Sequence, residues 1–170
     1  MALLKIVTYG NPILLKKTAS VNTVDKEIKK LIGDMFETMY AAPGVGLAAN
    51  QVGVPLNLCV MDISPQGKSG PIVLINPWLK QKKGRMYEEE GCLSLPGIFV
   101  KIPRWEWVKV AGIDERGLPV EIEGEGLLAR ALQHELDHLS GKLLFDRVGF
   151  WKSLKLKRQI RKLKKEGKWV

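Results

Sequence analysis

Residues 121–141 have the sequence EIEGEGLLARALQHELDHLSG, which predicts the end of a β-strand followed by one long helix. The helix is predicted over 125–140, because three leucines, at 128, 132 and 139, recur at helical spacing. Gly141 follows at the position that a C-terminal capping glycine takes. Both histidines of the chain, His134 and His138, lie in this helix. We therefore expect the helix to carry the chemistry of the protein.

The pentad His134-Glu135-Leu136-Asp137-His138 matches H-E-x-x-H, a motif of metal-dependent hydrolases. Residues four apart share a helix face, so both imidazoles can reach one metal ion. Glu135 is displaced around the helix, where it can touch a water on that ion without being a ligand. The alternative is a helix whose two histidines are exposed or hydrogen-bonded in the core.

A catalytic metal needs a third protein ligand, and Cys92 is the candidate. Beyond His138 the only acidic residues are Asp146 and Glu166, and neither has the spacing that zinc peptidases use. The third ligand is therefore expected upstream, where the segment EGCLSLP at 90–96 presents a cysteine beside a glycine. Cys59 lies inside an apolar run and is predicted to be a small buried hydrophobic residue.

A third segment, GVGLAANQ at 44–51, is rich in small residues. Glycine and alanine let a ligand lie against the backbone, and Gln51 offers an amide donor. The segment lacks the G-K-[ST] ending of a phosphate loop. By itself it could equally be a turn that only connects two elements.

The order of predicted elements indicates an α+β fold. A helix is predicted over 24–42, capped by Asn22 and Thr23 and stopped by Pro43. Strands are predicted at 3–7, 56–62, 71–76, 84–90, 99–102, 105–114 and 118–123. Turns are predicted at 64–67 and 114–117, and a last helix begins near Gly149. Strands in the middle with helices at both ends are typical of α+β proteins rather than of alternating βαβ proteins.

The composition and charge limit the class of protein. The chain has 170 residues, of which 45% are hydrophobic and 26% charged, as expected for one globular domain. No apolar stretch reaches the roughly 18 residues of a membrane span, and no secretory signal is evident, so we expect a cytoplasmic protein without a membrane partner. Residues 1–146 hold 17 basic and 17 acidic residues and give no reason to expect DNA binding. Residues 147–170 hold ten basic residues and one acid, which accounts for the net charge of +9.

Together and in this order, the three motif segments resemble the peptide deformylase family, which is marked by G-x-G-x-A-A-x-Q, E-G-C-x-S and Q-H-E-x-D-H. The chain has GVGLAANQ, EGCLSLP and QHELDH, and the similarity runs from 10–12 to the end of the histidine helix. The resemblance implies antiparallel or mixed β-sheets around a central helix carrying H-E-x-x-H, with an N-terminal helix and a basic C-terminal helix. It also implies a catalytic domain over 1–146, with 147–170 as a helix of the same domain.

The resemblance implies an activity as well, which is removal of the formyl group from N-formylmethionine at the start of new polypeptides. Cys92, His134 and His138 would hold the metal and leave one position for water. The family uses Fe²⁺ and accepts Ni²⁺, Co²⁺ or Zn²⁺, a range that suits one thiolate with two imidazoles. Glu135 would take the proton of the attacking water and pass it to the departing amine.

Further roles follow from motif position within the family. Gln51 and the backbone N–H of Leu93 would donate to the developing oxyanion, and Gly46 would hydrogen-bond the substrate backbone. Four residues are expected near the methionine side chain: Val45, Leu127, Arg130 and Ala131. The aliphatic stem of Arg130 would line that pocket with its charged end in water; alternatively, Arg130 is ordinary helix surface.

The basic tail has two interpretations. Trp151, Leu154, Ile160 and Leu163 are predicted to share one face, so the tail can be a basic helix that packs this stripe on the body. Alternatively it docks on ribosomal RNA, where formylated chains emerge.

Two other functions fit part of the sequence. One is a peptidase that uses the same motif, although the downstream ligand of such enzymes is missing. The other is an RNA-binding protein with a structural metal, which would normally need a fourth protein ligand. Cys59 could fill that position only if its strand ended beside the histidine helix.

Overall fold

The computed structural model describes residues 2–64 and 70–169, and within them the chain forms three α-helices and seven β-strands. The helices are α1 (Lys26–Ala41), α2 (Gly126–Leu139) and α3 (Phe150–Lys165). The strands are β1 (Gly46–Ala48), β2 (Leu58–Met61), β3 (Ile72–Lys83), β4 (Met86–Gly91), β5 (Phe99–Arg104), β6 (Trp107–Ile113) and β7 (Pro119–Glu125). The α+β class predicted from the element order is confirmed.

Five strands form one sheet in the order β1-β2-β3-β6-β7, and β4 pairs with β5 in a separate hairpin. All of these ladders are antiparallel. The β6–β7 hairpin turns where the sequence predicts: Asp114 Oδ1 accepts hydrogen bonds from the backbone N–H groups of Arg116 and Leu118, both at 2.9 Å. Gly117 completes the turn with a φ of 82°.

Strand β2 is buried on both faces of the large sheet, which explains why it is apolar throughout. Successive side chains of a strand point to opposite faces, so Leu58 and Val60 pack with α1, whereas Cys59 and Met61 pack with α2. Cys59 is fully buried, and the prediction that it is a core residue is confirmed. Helix α2 thus lies between the sheet on one side and the β4–β5 hairpin on the other.

Three local predictions are wrong. Helix α1 begins at Lys26 rather than near 24, because Asp25 supplies the cap: its Oδ1 accepts from the N–H of Ile28 at 2.9 Å. Residues 3–7 form no strand, although the N–H of Val7 donates to the carbonyl of Gln51 at 2.8 Å. Strand β3 does not end at 76 but continues to Lys83, with a break in register between Ile75 and Trp78. The predicted turn at 64–67 lies outside the described residues except for Ser64.

Helix α3 packs on the body through Leu156 and Ile160, which join a core cluster with Leu14 and residues of β5. Leu163 packs partly against the same cluster. The predicted stripe is wrong for Trp151, which is 79% exposed, because the buried face is set by Leu156 and Ile160. Among the described residues, no helix has the length and apolar character that a membrane crossing requires.

Candidate active site

Helix α2 carries six of the eleven predicted site residues, including both histidines and Glu135. It follows β7 directly and ends at Leu139, and Gly141 has a φ of 72°, as predicted for a capping glycine. Its i, i+4 spacing turns His134 and His138 to the same side, with their Nε2 atoms 3.1 Å apart. His138 is 1% exposed. Burial lowers the pKa of His138 well below its usual value, which favours the neutral imidazole, the form that ligates metals.

Cys92 reaches the histidines from the end of strand β4. Its Sγ lies 3.2 Å from His138 Nε2, and the ligand atoms of Cys92, His134 and His138 all lie within 4.8 Å of one another. Tetrahedral bonds of about 2.0–2.1 Å to nitrogen and 2.3 Å to sulfur separate neighbouring ligand atoms by roughly 3.3–3.6 Å. The three side chains therefore fit one shared metal ion with only small adjustments. Cys59 is not part of this group of potential ligands, so the described residues leave the site open at a fourth position.

A buried ionic network surrounds His134, and sequence analysis missed it. His134 Nδ1 lies 3.1 Å from Glu90 Oε2. The Arg104 guanidinium donates to both Glu90 oxygens, at 2.9 and 2.8 Å, and to Asp137 Oδ2 at 2.6 Å. Burial alone would raise the pKa of Glu90, but hydrogen bonds from Arg104 and His134 lower it to about 2. Arg147 also pairs with Asp137.

Glu135 is a buried carboxylate beside the three ligand residues. It is 2% exposed, and its Oε2 has no hydrogen-bond partner among the described residues. Burial raises the pKa of Glu135 to about 7. The carboxylate fits only because Gly46 lacks a side chain: a Cβ there would overlap Glu135 Oε1 and lie 2.9 Å from Cδ. Gly46 thus has a packing role that the sequence motif did not reveal.

Gln51 is oriented by its neighbours in the 3₁₀ turn Ala49–Val52. Its Oε1 accepts from the N–H of Ala48 at 2.9 Å, which fixes the orientation of its amide N–H₂. That Nε2 lies 3.2 Å from Ser94 Oγ and 3.7 Å from Cys92 Sγ. The amide donor therefore faces the ligand group. The hydroxyl of Ser94, within the EGCLSLP segment, was not singled out by sequence analysis.

A cavity of about 400 Å³ opens onto this group. Ten of the eleven predicted site residues line it: Val45, Gly46, Gln51, Cys92, Leu93, Leu127, Arg130, Ala131, His134 and Glu135. His138, which is buried, is the one that does not line it. Phe99 at the cavity edge is 65% exposed and was not predicted. A cavity lined by apolar residues with a few convergent polar groups is the usual form of a small-ligand site.

Arg130 does not extend freely into water. Its Nη2 donates to the carbonyl of Glu89 at 2.5 Å, and its Nε lies 3.7 Å from Glu90 Oε1. The guanidinium is thus tied to strand β4 at a partly exposed position. Its side chain remains 22% exposed and forms part of the cavity wall.

Comparison with known proteins gives a consistent result. A family model described as polypeptide deformylase matches residues 3–153. The chain is 49% identical to the peptide deformylase of Aquifex aeolicus over 165 residues, which cover 96% of this chain and 98% of that protein. Its structure resembles a peptide deformylase from Legionella pneumophila, with a TM-score of 0.90 and 44% identity over 98% of both chains. It also resembles a peptide deformylase from Ehrlichia chaffeensis solved with actinonin, with a TM-score of 0.88, 38% identity, and coverage of 95% and 98%.

Proposed function

The chain belongs to the peptide deformylase family, and from that membership we propose that it removes the N-terminal formyl group from N-formylmethionine of newly synthesised polypeptides. One observation carries the proposal. Three ligand atoms and a buried, unpaired carboxylate, that of Glu135, converge at one cavity that is open on the outside. Such a group hydrolyses a small amide that enters the cavity.

Cys92, His134 and His138 would hold the metal, for which Fe²⁺ is the proposed native ion and Ni²⁺, Co²⁺ or Zn²⁺ are substitutes. One thiolate with two neutral imidazoles suits all four of these ions. A divalent ion bound there would supply a Lewis acid that polarises the formyl carbonyl and activates water. Within residues 2–64 and 70–169 no fourth protein ligand joins these three, which argues against a structural zinc site, since such a site would be closed.

Glu135 would act as the general base and then as the general acid. A carboxylate whose pKa lies near 7 can take a proton from the attacking water at its Oε2 and return it to the departing amine. The absence of a competing partner for Oε2 among the described residues leaves that oxygen available to water. Burial, which excludes bulk solvent, strengthens the electrostatic effect of the group on the reaction.

Two donors would stabilise the oxyanion that develops on the formyl oxygen. The Nε2 of Gln51 is turned toward Cys92 because Oε1 is already fixed by Ala48. The backbone N–H of Leu93 comes directly after the thiolate, on the cavity wall. Donors that are held in place before the reaction give the largest effect per hydrogen bond.

The cavity would accept the methionine side chain and the start of the peptide. Val45, Leu127 and Ala131 supply apolar wall, and the stem of Arg130 adds to it. The backbone of Gly46, in strand β1, would hydrogen-bond the peptide in an extended conformation. A volume of about 400 Å³ is enough for one side chain and its flanking backbone, which favours an end-recognising enzyme over a peptidase that cleaves internal bonds.

The direct test is formate release from a formyl-Met-Ala-Ser peptide by protein loaded anaerobically with Fe²⁺ or with Ni²⁺. We expect turnover of the formyl peptide but not of the acetyl-Met peptide, and inhibition by actinonin. Glu135→Gln should lower kcat by about 10²- to 10⁴-fold, the usual contribution of a general base, while metal content stays unchanged. Cleavage of an internal peptide bond, or no turnover by metal-loaded protein, would contradict the assignment.

We also propose that α3 docks on ribosomal RNA in the cytoplasm. Its exposed face carries Lys155, Arg158, Lys162 and Lys165, whereas Leu156 and Ile160 are buried in the body. Because truncation would uncover the core, the four exposed residues should instead be changed together to Gln. The variant should lose most of its cosedimentation with ribosomes, and the steep salt dependence of the wild type should flatten. Unchanged cosedimentation would refute docking through this face.

A further inference from the structure

Arg104 is one of the most buried charged residues of the chain, with 3% of its surface exposed. It ends strand β5 and sits between two elements that both deliver metal ligands. Strand β4 leads directly into Cys92, and helix α2 carries both histidines. No catalytic atom touches Arg104, because Glu90 and Asp137 stand between its guanidinium and the ligands.

We propose that Arg104 is a positioning residue for the metal centre: by binding Glu90 and Asp137 together it fixes the Cys92 strand against the histidine helix. This inference rests on the metal site of the proposed function but not on the identity of the reaction.

The hydrogen bonds from Arg104 to Glu90 orient His134. Arg104 Nε and Nη2 bind the two oxygens of Glu90, at 2.9 and 2.8 Å, in a fork-to-fork arrangement that allows one orientation of the carboxylate. In that orientation Glu90 Oε2 lies 3.1 Å from His134 Nδ1. A carboxylate there keeps the proton on Nδ1 and leaves the lone pair of Nε2 to point at the metal.

The hydrogen bond from Arg104 to Asp137 holds the last turn of α2. Arg104 Nη1 donates to Asp137 Oδ2 at 2.6 Å, and Asp137 directly precedes His138 in the sequence. The Arg104 guanidinium therefore connects two residues that are distant in the sequence: Glu90 lies 14 positions before it and Asp137 lies 33 positions after it. Lysine cannot replace it, because a single ammonium group cannot reproduce the planar fork on one carboxylate while holding the other.

A purely structural salt bridge would leave a different signature. Removing one partner of a buried pair destabilises a fold generally, whether or not metal is bound. A positioning residue instead changes the metal affinity and the coordination geometry of protein that has folded. Partners that orient metal-binding histidines typically change metal affinity by about 10- to 100-fold when they are lost.

The test compares Arg104→Lys, Arg104→Gln and Glu90→Gln with the wild type. The matched control is Arg116→Lys, which alters an exposed arginine that pairs with Asp114 in the β6–β7 turn. Co²⁺ affinity is measured by chelator competition, and the absorption spectrum of the Co²⁺ protein reports its coordination. Circular dichroism and the Tm of metal-free protein verify that each variant is folded. If Arg104→Gln fails to fold, Arg104→Lys and Glu90→Gln carry the test.

We expect Arg104→Lys to bind Co²⁺ about 10- to 100-fold more weakly, with altered d–d bands, and Glu90→Gln to behave in the same direction. The control should match the wild type. Wild-type affinity and spectrum in both folded variants would overturn the inference, even if their Tm falls. If the wild type itself shows no thiolate-to-cobalt absorption, the proposed metal centre fails and this inference falls with it.

Discussion

Gly46→Ala should separate catalysis from stability, because the three atoms nearest to the new methyl group all belong to Glu135, the proposed general base. A Cβ at this position lies 2.9 Å from Glu135 Cδ and 3.2 Å from Cγ. Carbon atoms prefer separations of about 3.5–4.0 Å, so the carboxylate must move by about 1 Å. The cavity lies next to both residues and gives the side chain room to move.

A displacement of about 1 Å at a reacting group can lower turnover about 100-fold, which is about 2.7 kcal/mol of transition-state stabilisation. The free energy of unfolding should change by less than about 1 kcal/mol, because Gly46 lies in a strand with an ordinary φ and alanine restricts the unfolded chain. We therefore expect a large fall in kcat with a Tm close to that of the wild type.

The assay is formate release from the formyl tripeptide, alongside thermal unfolding of the same samples. Gly70→Ala is the matched control, since no atom of the described residues lies within 4 Å of a Cβ placed there. In a Glu135→Gln background, Gly46→Ala should cause little further loss, because the displaced group is no longer a base. Full turnover by Gly46→Ala would refute the reasoning, and so would an equal loss in both backgrounds.

Three other predictions concern the metal, the fold and acid stability. Cys92→Ser should weaken Co²⁺ binding more than about 100-fold and abolish the thiolate absorption of the Co²⁺ protein, measured by chelator titration. Gly141→Ala should lower the free energy of unfolding by about 2–3 kcal/mol in urea titrations, because alanine is strained at positive φ and its Cβ would lie 2.8 Å from the Leu15 backbone. The backbone N–H of Leu118 lowers the pKa of Asp114 in the native state, so ionised Asp114 stabilises the fold above its unfolded pKa of about 3.9, and this contribution is lost as pH falls through the lower native pKa. The difference in Tm between wild type and Asp114→Asn should accordingly be constant above about pH 5 and change below about pH 4.

The sequence predicts best those features of the site whose geometry follows from residue spacing alone. Spacing of four residues places His134 and His138 on one face of any α-helix, so their proximity could be predicted without knowing the fold. The approach of Cys92 could not be obtained that way, because its distance from the histidines depends on how the β4–β5 hairpin packs on α2. Cys92 was instead predicted as a ligand because no acidic residue downstream of His138 has a suitable spacing, and because the family motif contains a cysteine at this position.

The ionic network was invisible to sequence reasoning for a physical reason. Glu90, Arg104 and Asp137 are charged, and isolated charges along a chain usually indicate solvent-exposed positions. They are buried here only because they pair with one another, and such pairing is a property of the assembled fold. Glu90 in EGC and Asp137 in HELDH were the available signal for this network, but these two residues served only to indicate the family resemblance.

Errors at the ends of elements have equally local causes. Several residues before α1 are good helix caps, and Asp25 rather than Asn22 or Thr23 takes the role because its carboxylate reaches the N–H of Ile28. Strand β3 runs past its predicted end at 76, although Pro77 lacks an N–H and such a residue usually ends a ladder. The register break beside Pro77 accommodates it, and the strand continues.

Helix α2 has almost no surface in the ordinary sense. Eight of its 14 residues are buried, and they include Gln133, Glu135, Asp137 and His138. An amphipathic helix normally turns its polar side to water, and nearly any hydrophilic residue is tolerated on that side. Here the polar side is enclosed by the protein: Gln133 bonds the backbone of Trp105, and Asp137 pairs with two arginines. His138 lies against Cys92, and Glu135 is held in a space that admits no larger neighbour than Gly46. Efforts to raise solubility or thermal stability therefore have room on the outer face of α1, while α2 is the part of the chain where variation should be least tolerated.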